Sequence, residues 1–524
     1  MLAKVRSAAV IGIDAYPVDV EIDLANGLPS FSTVGLPHGA VKEARERVSA
    51  ALANSGFEFP LKRITANLAP ADVPKAGSAF DLPLAIGVLA ASGQLAIPGL
   101  HEGFAFGELG LEGSLRPVRG TLSLVTCARA LGARWVLVPL ANRAEAALVD
   151  GIEVLAAPSL RAIADHFGGR ERLPAGSDRQ PPLVEPAEAL DFAEVRGQLV
   201  AKRALEIAAA GGHNLLMVGP PGSGKTMLAR RLPTILPAMS AAEAIEVTKV
   251  HSVAGLNGSE GVLRRRRPFR APHHTVSDAG MAGGGSHSRP GEVSLAHHGV
   301  LFLDELPEFR RNVLDTLRQP LEDGIVTIAR AQITVTYPAR IMLIAAMNPC
   351  PCGYFGDVSR ECQCTPEVRR RYRGRVSGPL YDRIDLQCQV PGVPWSELAD
   401  TNPGDSSAAM AGRVRAARER QRLRFAGEGA VVRNGDLSGR GVERWCAPDA
   451  EGRRLLGLAM ARLGLSARAY SRVLKVARTI ADLAGDGETV RGAHVAEAVQ
   501  YRSLDRTIRG SSSSRPIEVG SPPA

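Results

Sequence analysis

The chain has 524 residues, enough for roughly three domains of ordinary size, and its 45% hydrophobic composition supports buried cores. No apolar run reaches membrane-spanning length, and seven cysteines are too few for a disulfide framework in a chain this long. The formal net charge of +9 favours an anionic partner such as nucleic acid but does not select one. Since the N-terminal stretch lacks the apolar core of a signal peptide, we expect a cytoplasmic protein with no membrane partner.

Residues 1–167 alternate short apolar strands with helical stretches, which is typical of an α+β or α/β domain. The predicted strands are VDVEIDLA, WVLVPLA and GIEVLAA, and the predicted helices are HGAVKEARERVSAALANSG and FDLPLAIGVLAASG. A hairpin with glycines at its turns is predicted between Phe106 and Gly120.

The runs PKAGSAFDLPLAIGVLAASG and GELGLEGSLRPVRG resemble the proteolytic domain of Lon and its inactive relatives. In that family the catalytic serine falls where this chain has Ala79, next to Ser78, and the catalytic lysine falls where it has Leu122. Because a serine–lysine pair needs both groups, the resemblance implies a Lon-like domain that is not proteolytic and that serves assembly or DNA contact.

Residues 168–188 are rich in Gly, Pro and charge without periodicity, so we expect a linker. The second domain is predicted over residues 189–398. It opens with a short entry segment and an amphipathic helix in DFAEVRGQLVAKRALEIAAAGGHN.

The stretch from Gly219 to Thr226 reads GPPGSGKT and matches the phosphate-binding loop pattern in full. An apolar strand, HNLLMVG, precedes it and a helix, MLARRLPTIL, follows it, which is the context that such a loop requires. Lys225 is predicted to reach the β- and γ-phosphates of ATP, and Thr226 to hold Mg²⁺. The predicted cradle for the phosphates consists of Gly219, Pro220, Pro221, Gly222, Ser223 and Gly224.

Two further apolar strands end in polar residues. GVLFLDE ends in Asp304 and Glu305, and IMLIAAMNP leads to Asn348. Ligands of open α/β sheets bind at the carboxyl ends of the strands, so we expect these side chains beside the phosphate loop. Asp304 is predicted to hold Mg²⁺, Glu305 to act as general base on the attacking water, and Asn348 to orient that water. The three strands predict an α/β ATPase core of the AAA+ type.

The segment from His251 to His298 lies between the two halves of this site and contains a four-arginine run, Arg264 to Arg267, ahead of Phe269 and Arg270. A basic segment with an aromatic suits a nucleic-acid backbone, and a solvated basic loop is the alternative. We interpret the histidines as polar packing rather than metal ligands, because no cysteine or carboxylate stands at ligand spacing. They are His273, His274, His297 and His298.

A helix from Arg310 to Leu321 and two strands, IVTIA and ITVTYP, follow Glu305. Such a hairpin is similar to the one found in the AAA+ branch that includes the magnesium chelatase motor subunit, where hairpins line a central pore. Its tip would offer Arg330 to a nucleic-acid backbone; a surface hairpin without a ligand is the alternative.

Four cysteines form the pattern C-x-C, nine residues, C-x-C. Clustered thiolates in a cytosolic protein suggest a structural Zn²⁺ site, although this spacing is tighter than the usual one and reduced packing cysteines are the alternative. The cysteines are Cys350, Cys352, Cys362 and Cys364. The run RRRYRGR, Arg369 to Arg375, suits nucleic acid or a solvated turn.

Residues 399–508 carry apolar residues at helical spacing and predict an α-helical lid, and residues 509–524 predict a disordered tail. From the Lon-like domain through NPCPCG to SGPLYDRIDL, nearly the whole chain resembles the YifB/ComM family of magnesium-chelatase-like AAA+ ATPases. The resemblance implies that Arg383 reaches a neighbouring subunit's γ-phosphate, and hence a ring, taken as a hexamer. It also implies that Arg468 is the lid arginine that senses the γ-phosphate, with Arg472 as the substitute.

The resemblance implies an ATP-driven helicase on single-stranded or branched DNA, which promotes branch migration during recombination in natural transformation. One alternative is a chelatase-type motor that remodels a protein partner during metal insertion. A Lon-like protease is the other, and Ala79 and Leu122 disfavour it.

Overall fold

The computed structural model describes residues 1–73, 75, 77–174, 190–257, 263–285, 289–329, 334–357, 360–394, 397, 404–428, 431–487 and 489–504. Most of the predicted linker, the tip of the predicted pore hairpin with Arg330, and the whole predicted tail lie outside these residues. No helix in the described part of the chain is both long and apolar enough to cross a membrane.

The N-terminal part is built on a seven-stranded mixed sheet in the order β3-β4-β2-β1-β5-β8-β9. Its strands, with the small β6–β7 hairpin, are β1 (Leu2–Ile11), β2 (Asp14–Ala25), β3 (Ser30–Val34), β4 (Arg63–Ala69), β5 (Gly103–Ala105), β6 (Glu108–Leu109), β7 (Leu115–Arg116), β8 (Trp135–Pro139) and β9 (Glu153–Ala157). Its helices are α1 (Ala44–Asn54), α2 (Asp81–Ala91), α3 (Thr121–Ala130), α4 (Arg143–Ala146) and α5 (Leu160–Phe167). The glycine hairpin predicted between Phe106 and Gly120 is present as β6 and β7.

The central part contains a five-stranded sheet in which every neighbouring pair is parallel, in the order β11-β14-β17-β10-β18. Its strands and hairpins are β10 (Leu215–Val218), β11 (Phe269–Arg270), β12 (Gly283–Gly284), β13 (Arg289–Pro290), β14 (Val300–Leu303), β15 (Ile325–Ala329), β16 (Thr334–Pro338), β17 (Met342–Met347) and β18 (Leu386–Gln389). Its helices are α6 (Leu199–Gly211), α7 (Lys225–Arg231), α8 (Ala241–Ala254), α9 (Asp278–Ala282), α10 (Glu292–Leu295), α11 (Arg311–Thr316), α12 (Arg318–Asp323), α13 (Pro366–Arg373) and α14 (Gly378–Tyr381). The chain thus has the α/β fold of an ATPase core.

Every residue of β14 and β17 is buried, as expected for inner strands of a parallel sheet covered on both faces. The carboxyl ends of parallel strands lie at one edge, so β10, β14 and β17 bring the residues that follow them together there.

The single helix predicted from Arg310 to Leu321 is instead two short helices, α11 and α12, which meet at Leu317. Pro320 has no N–H to donate to the carbonyl of Thr316, so the helical hydrogen-bond ladder is interrupted at that point.

The C-terminal part is helical, as predicted, with α15 (Ser407–Arg424), α16 (Gly439–Trp445), α17 (Ala450–Leu463), α18 (Ala467–Ala484) and α19 (Gly492–Gln500). Helices α15 and α18 pack on α6, and their apolar residues share one buried cluster with β10 and β18. Two arginines, Arg424 and Arg478, bind the fully buried carboxylate of Asp482. These pairs lie within the lid, whereas Arg413 of α15 binds Glu206 of α6. The lid is therefore anchored to the sheet's covering helix by both apolar and ionic contacts.

The N-terminal part docks on the central part at two places. Helix α3 packs on α8, where the buried carboxylate of Glu145 accepts hydrogen bonds from the Leu122 N–H and the Ser252 hydroxyl. The turn between β1 and β2 meets β16: a Cβ at Gly12 would lie 2.9 Å from the carbonyl oxygen of Thr336. The first domain thus contacts the hairpin of the ATPase core directly.

Candidate nucleotide site

The phosphate loop, residues 219–226, connects the end of β10 to the start of α7. Gly224 caps the helix with φ +89°, a left-handed conformation that favours glycine. Gly219 lies so close to the segment that follows β18 that a Cβ would stand 2.0 Å from the carbonyl oxygen of Val390. The loop has the tight path that lets successive backbone N–H groups face a polyphosphate.

The ammonium of Lys225 lies inside this loop. Its Nζ donates hydrogen bonds to the carbonyl oxygens of Gly219 at 2.8 Å and Pro220 at 2.7 Å. Burial lowers the pKa of Lys225, and the negative charge of Asp304 opposes that shift. A partly desolvated ammonium gains more from a phosphate oxygen than a solvated one, so its setting suits phosphate binding.

Two oxygens suited to Mg²⁺ meet beside Lys225. The Thr226 hydroxyl donates to Asp304 Oδ2 at 2.6 Å, and Asp304 Oδ1 accepts the N–H of Glu305 at 2.9 Å. Hydroxyl and carboxylate oxygens are the hard ligands that Mg²⁺ prefers, so the donor set fits this ion.

Glu305 has an unusual backbone for a residue with a side chain, with φ +52°. Such strain is concentrated at functional sites, where the surroundings impose it. Its carboxylate is half-exposed and lies 3.1 Å from Nδ1 of His274. No local sequence pattern marks this contact, because the segment that carries His274 meets Glu305 only after folding.

Asn348 follows β17 and completes the group. Its Oδ1 lies 3.4 Å from Lys225 Nζ. The structure therefore brings together five residues predicted from separate motifs: Lys225, Thr226, Asp304, Glu305 and Asn348.

A cavity of about 1240 Å³ lies between α6, β18 and α19. Its walls include residues 195–200, residues 391–394 and Tyr501. Gln198 links this cavity to the loop, because its amide nitrogen donates to the carbonyls of Ser223 at 3.2 Å and Pro391 at 2.6 Å. The sequence signal for Gln198 is only a polar residue directly before the entry helix α6.

Arg383 lies at the opposite edge of the sheet. It stands three residues before β18, while the phosphate loop follows the other end of the adjacent strand β10, so the length of a four-residue strand, roughly 13 Å, separates the two edges. Its guanidinium binds Glu322 at 2.5 Å and the carbonyl of Pro379 at 2.9 Å. The buried Nε has no hydrogen-bond partner among the described residues.

Arg472 is fixed at the same edge, where it binds Asp385 at 2.6 Å. Burial alone would raise the pKa of Asp385, but Arg472 and His213 outweigh it and hold that pKa far below its usual range. Arg468, one turn earlier in α18, is exposed and has no hydrogen bond or ion pair with the described residues. The structure thus leaves Arg468 and not Arg472 available, and it places neither Arg383 nor Arg472 at the phosphate loop of the same chain.

Three arginines of the predicted basic insertion bind groups within the protein. Arg264 binds the carbonyl of Leu256, Arg267 binds those of Pro237 and His298, and Arg270 binds Glu292. Arg264 and Arg267 of the run are therefore bound within the protein, whereas Arg265 and Arg266 are exposed.

The histidines of the insertion have polar partners, in agreement with the packing interpretation. Nε2 of His297 lies 3.0 Å and Nε2 of His298 lies 2.8 Å from one oxygen of Glu246, a carboxylate that the sequence spacing did not reveal. Nδ1 of His297 accepts the N–H of Arg340 at 3.0 Å, so in neutral His297 the proton is on Nε2 and points at Glu246. That tautomer has no free nitrogen for a metal.

The four predicted cysteines form one cluster. Their sulfur atoms all lie within 4.8 Å of one another, and three of the distances are 3.3, 3.6 and 3.7 Å, between Cys350 and Cys352, Cys350 and Cys362, and Cys352 and Cys362. A single tetrahedral ion with Zn–S bonds of 2.3 Å would hold its sulfurs about 3.8 Å apart. The donor set and its spacing fit one such ion.

Helix α13, directly after the cluster, carries a positive surface. The guanidinium groups of Arg369 and Arg373 lie 4.0 and 5.6 Å from the ring centre of the partly exposed Phe355. Arg370 and Arg371 are exposed and have no ionic partner within the described residues. Aromatic rings interleaved with arginines are typical of surfaces that bind nucleic acid.

Three parts of the chain match known families. Residues 191–398 match the family described as magnesium chelatase, subunit ChlI. Residues 20–142 match the one described as subunit ChlI of Mg-chelatase, and residues 404–502 match magnesium chelatase, subunit ChlI C-terminal.

The chain is also similar to proteins over nearly its whole length. It is 46% identical over 513 residues to YifB of Escherichia coli, covering 97% of this chain and 98% of the relative. It is 45% identical over 512 residues to the competence protein ComM of Haemophilus influenzae, covering 97% and 99%. A more distant match, 26% over 228 residues, is the magnesium-chelatase 38 kDa subunit of Rhodobacter capsulatus, with 40% of this chain and 62% of the relative covered.

Proposed function

We propose, from the premise that the chain belongs to the YifB/ComM family of magnesium-chelatase-like proteins, that this protein is an ATP-hydrolysing ring motor that acts on DNA. The observation that carries the proposal is the group at the carboxyl edge of the sheet, where Lys225, Thr226, Asp304, Glu305 and Asn348 lie in contact.

In this proposal the phosphate loop binds the β- and γ-phosphates of ATP, and Lys225 neutralises them. Thr226 and Asp304 hold Mg²⁺, which supplies charge neutralisation on the phosphate oxygens when it is bound. Glu305 takes a proton from the attacking water, and Asn348 orients that water. The cavity beside Gln198 takes the base and sugar, since Gln198 joins its wall to the loop and it is large enough for them.

The ring follows from the position of the arginines. Arg383 cannot reach the phosphates of its own chain across roughly 13 Å of sheet, but the edge that carries it can face the phosphate loop of a neighbour. Because that contact joins two different surfaces, it is repeated head to tail and closes into a ring. Exposed Arg468, one turn from the anchored Arg472, is the second arginine for the same neighbouring nucleotide.

DNA is the proposed track because α13 presents two unpaired arginines beside an arginine-stacked phenylalanine. We place the nucleic-acid contact there and not on the four-arginine run, whose members Arg264 and Arg267 are bound within the protein. Hairpin movement of β15 and β16 would couple hydrolysis to motion along the strand. Within this proposal, branch migration during recombination is the role that fits the family.

The four thiolates, in this proposal, hold one structural Zn²⁺. Their spacing suits a single ion, whereas an iron–sulfur cluster is larger and would hold its cysteines farther apart. Zinc content of the purified protein, measured by mass spectrometry of the metal, should be one atom per chain; a metal-free protein with full ATPase activity would contradict this assignment.

The test of the function is ATP turnover by the purified protein with and without single-stranded and branched DNA, at two salt concentrations. We expect strong stimulation by DNA that weakens as salt rises, because phosphate contacts release counterions. Turnover that ignores both DNAs, together with no DNA binding, would support the second candidate, a chelatase-like motor that remodels a protein partner. The match to the magnesium-chelatase subunit over residues of the ATPase core is what favours that alternative.

A further inference from the structure

The turn that carries the first two cysteines lies on the phosphate loop. It begins two residues after Asn348, and Gly353 packs against Pro221: a Cβ at Gly353 would stand 2.6 Å from Cδ and 2.8 Å from Cγ of the proline ring. The segment therefore meets the nucleotide site twice, once through Asn348 at Lys225 and once through Gly353 at Pro221.

This turn has almost no apolar core of its own. Among the described residues from 351 to 364, only Gly353 is buried, and the adjoining Cys350 is fully buried. The Gly353 N–H donates to the carbonyl oxygen of Cys350 at 3.0 Å, and the Cys364 N–H donates to the sulfur of Cys362 at 3.4 Å. Since little else is packed there, the sulfur cluster is the feature that gives the turn its shape.

We propose that the cysteine-bound ion is a brace for the phosphate loop: it holds Gly353 against Pro221, so that ATP affinity depends on the metal although the metal touches neither nucleotide nor water. The inference rests on the zinc ion proposed above and assigns that ion a role in nucleotide binding. Loss of the ion would free the turn, and the loop would lose the wall that fixes its path at Pro221.

Two glycines of the same turn provide a matched pair of variants. Gly353 and Gly356 both have left-handed backbones, φ +88° and +82°, but a Cβ at Gly356 would meet nothing within 4 Å. Both substitutions by alanine therefore carry similar backbone strain, and only Gly353→Ala presses on Pro221. We expect Gly353→Ala to weaken binding of a fluorescent ATP analogue about tenfold, as an overpacked contact does, and Gly356→Ala to stay within about twofold of the wild type.

The wild-type protein, stripped of its metal by a mercurial reagent and a chelator in reducing buffer, is the second measurement. We expect nucleotide affinity to fall as zinc is released and to return when zinc is restored. Equal affinities of the two glycine variants with zinc bound, or an unchanged affinity of the stripped protein, would overturn the brace. If Gly353→Ala itself loses zinc, the nucleotide affinity of the stripped wild-type protein decides whether the metal supports ATP binding.

These outcomes separate the brace from the proposals beneath it. A purified protein without zinc contradicts the ion, and absence of ATP binding in the intact wild type contradicts the ATPase. Zinc and ATP both bound, but independent of each other, contradicts the brace alone.

Discussion

The two ends of the strands in the parallel sheet of the ATPase core carry different parts of the proposed site: the phosphate-binding residues at the carboxyl edge and two arginines at the amino edge. At the carboxyl edge, Lys225 contacts Asn348 and Thr226 contacts Asp304, so these side chains are already in place to bind phosphates. At the amino edge, Arg383 is held by Glu322 and Arg472 by Asp385, so both positive charges are stored in internal ion pairs. In the proposed ring, the first is the receptive edge, because it binds the nucleotide, and the second is the donating edge, because it supplies Arg383 to the nucleotide of the next subunit.

The receptive edge should be the easiest to break. Lys225→Ala removes the only ammonium inside the phosphate loop among the described residues, and we expect ATP binding and turnover to fall to background. Equilibrium binding of a fluorescent ATP analogue checks this. Lys4→Ala, an exposed lysine of β1, is the control and should bind normally.

The donating edge should break differently. Arg383→Ala should leave ATP binding intact and lower turnover by about 10³-fold, because an arginine supplied by a neighbour stabilises the charge that develops in transfer. Mixing provides the sharper test: an equal mixture of Lys225→Ala and Arg383→Ala subunits forms some interfaces with both residues intact. Activity regained on mixing places the arginine in the neighbour's site, and a mixture as inactive as either variant would place both in one subunit.

A smaller loss of turnover is expected at the general base of the receptive edge. Glu305→Gln should bind ATP with normal affinity and hydrolyse it about 10²-fold more slowly, because the amide cannot accept the proton of water. Glu308→Gln, three residues later and paired with Arg375, is the control. Normal single-turnover hydrolysis by Glu305→Gln would remove Glu305 from the role of base.

The anchor of the lid at the donating edge can be tested by pH. The pKa of Asp385 is depressed in the folded protein, so its contribution to stability is complete above the ordinary aspartate pKa and is lost as pH falls through the depressed value. At neutral pH, Asp385→Asn should destabilise the fold by about 3–5 kcal/mol, as expected for one partner removed from a buried pair. Thermal unfolding from pH 7 down to pH 2 measures this: the difference between wild type and Asp385→Asn should stay constant down to about pH 4 and shrink below it. A difference that grows as pH falls would contradict the ionic contact.

The smallest effect concerns DNA. Arg370→Ala with Arg371→Ala should weaken DNA binding about tenfold and lower the slope of log K against log salt by about 2, since two phosphate contacts are lost. ATP turnover without DNA should not change. Arg422→Ala, on an exposed arginine of the lid paired with Glu419, should keep the full salt slope.

Sequence could predict the receptive edge because each of its residues stands in a contiguous motif at the end of an apolar strand, as with Asp304 after VLFL. His274, Gln198 and Glu246 escaped prediction because each meets its partner only through folding: His274 meets Glu305, 31 positions later in the sequence, and no local pattern marks the pair. The arginine run shows the converse, since the charge pattern does not reveal that Arg264 and Arg267 bind groups within the protein. The Lon-like character of the first domain and the domain boundaries stay predictions.

The contact between Gly12 and Thr336 has a mechanical consequence. Strands β1 and β2 form a long antiparallel pair, with Leu2 opposite Asp23 at one end and Ile11 opposite Asp14 at the other. Ten residues of strand give this pair a length of about 33 Å. Gly12, in the turn at one end of these strands, contacts Thr336 in the middle of β16. In the proposed motor, movement of the β15–β16 hairpin would therefore displace the first domain. The first domain would then move with the hairpin, and a force that resists movement of this domain would slow ATP turnover, as would a force that resists movement of the DNA.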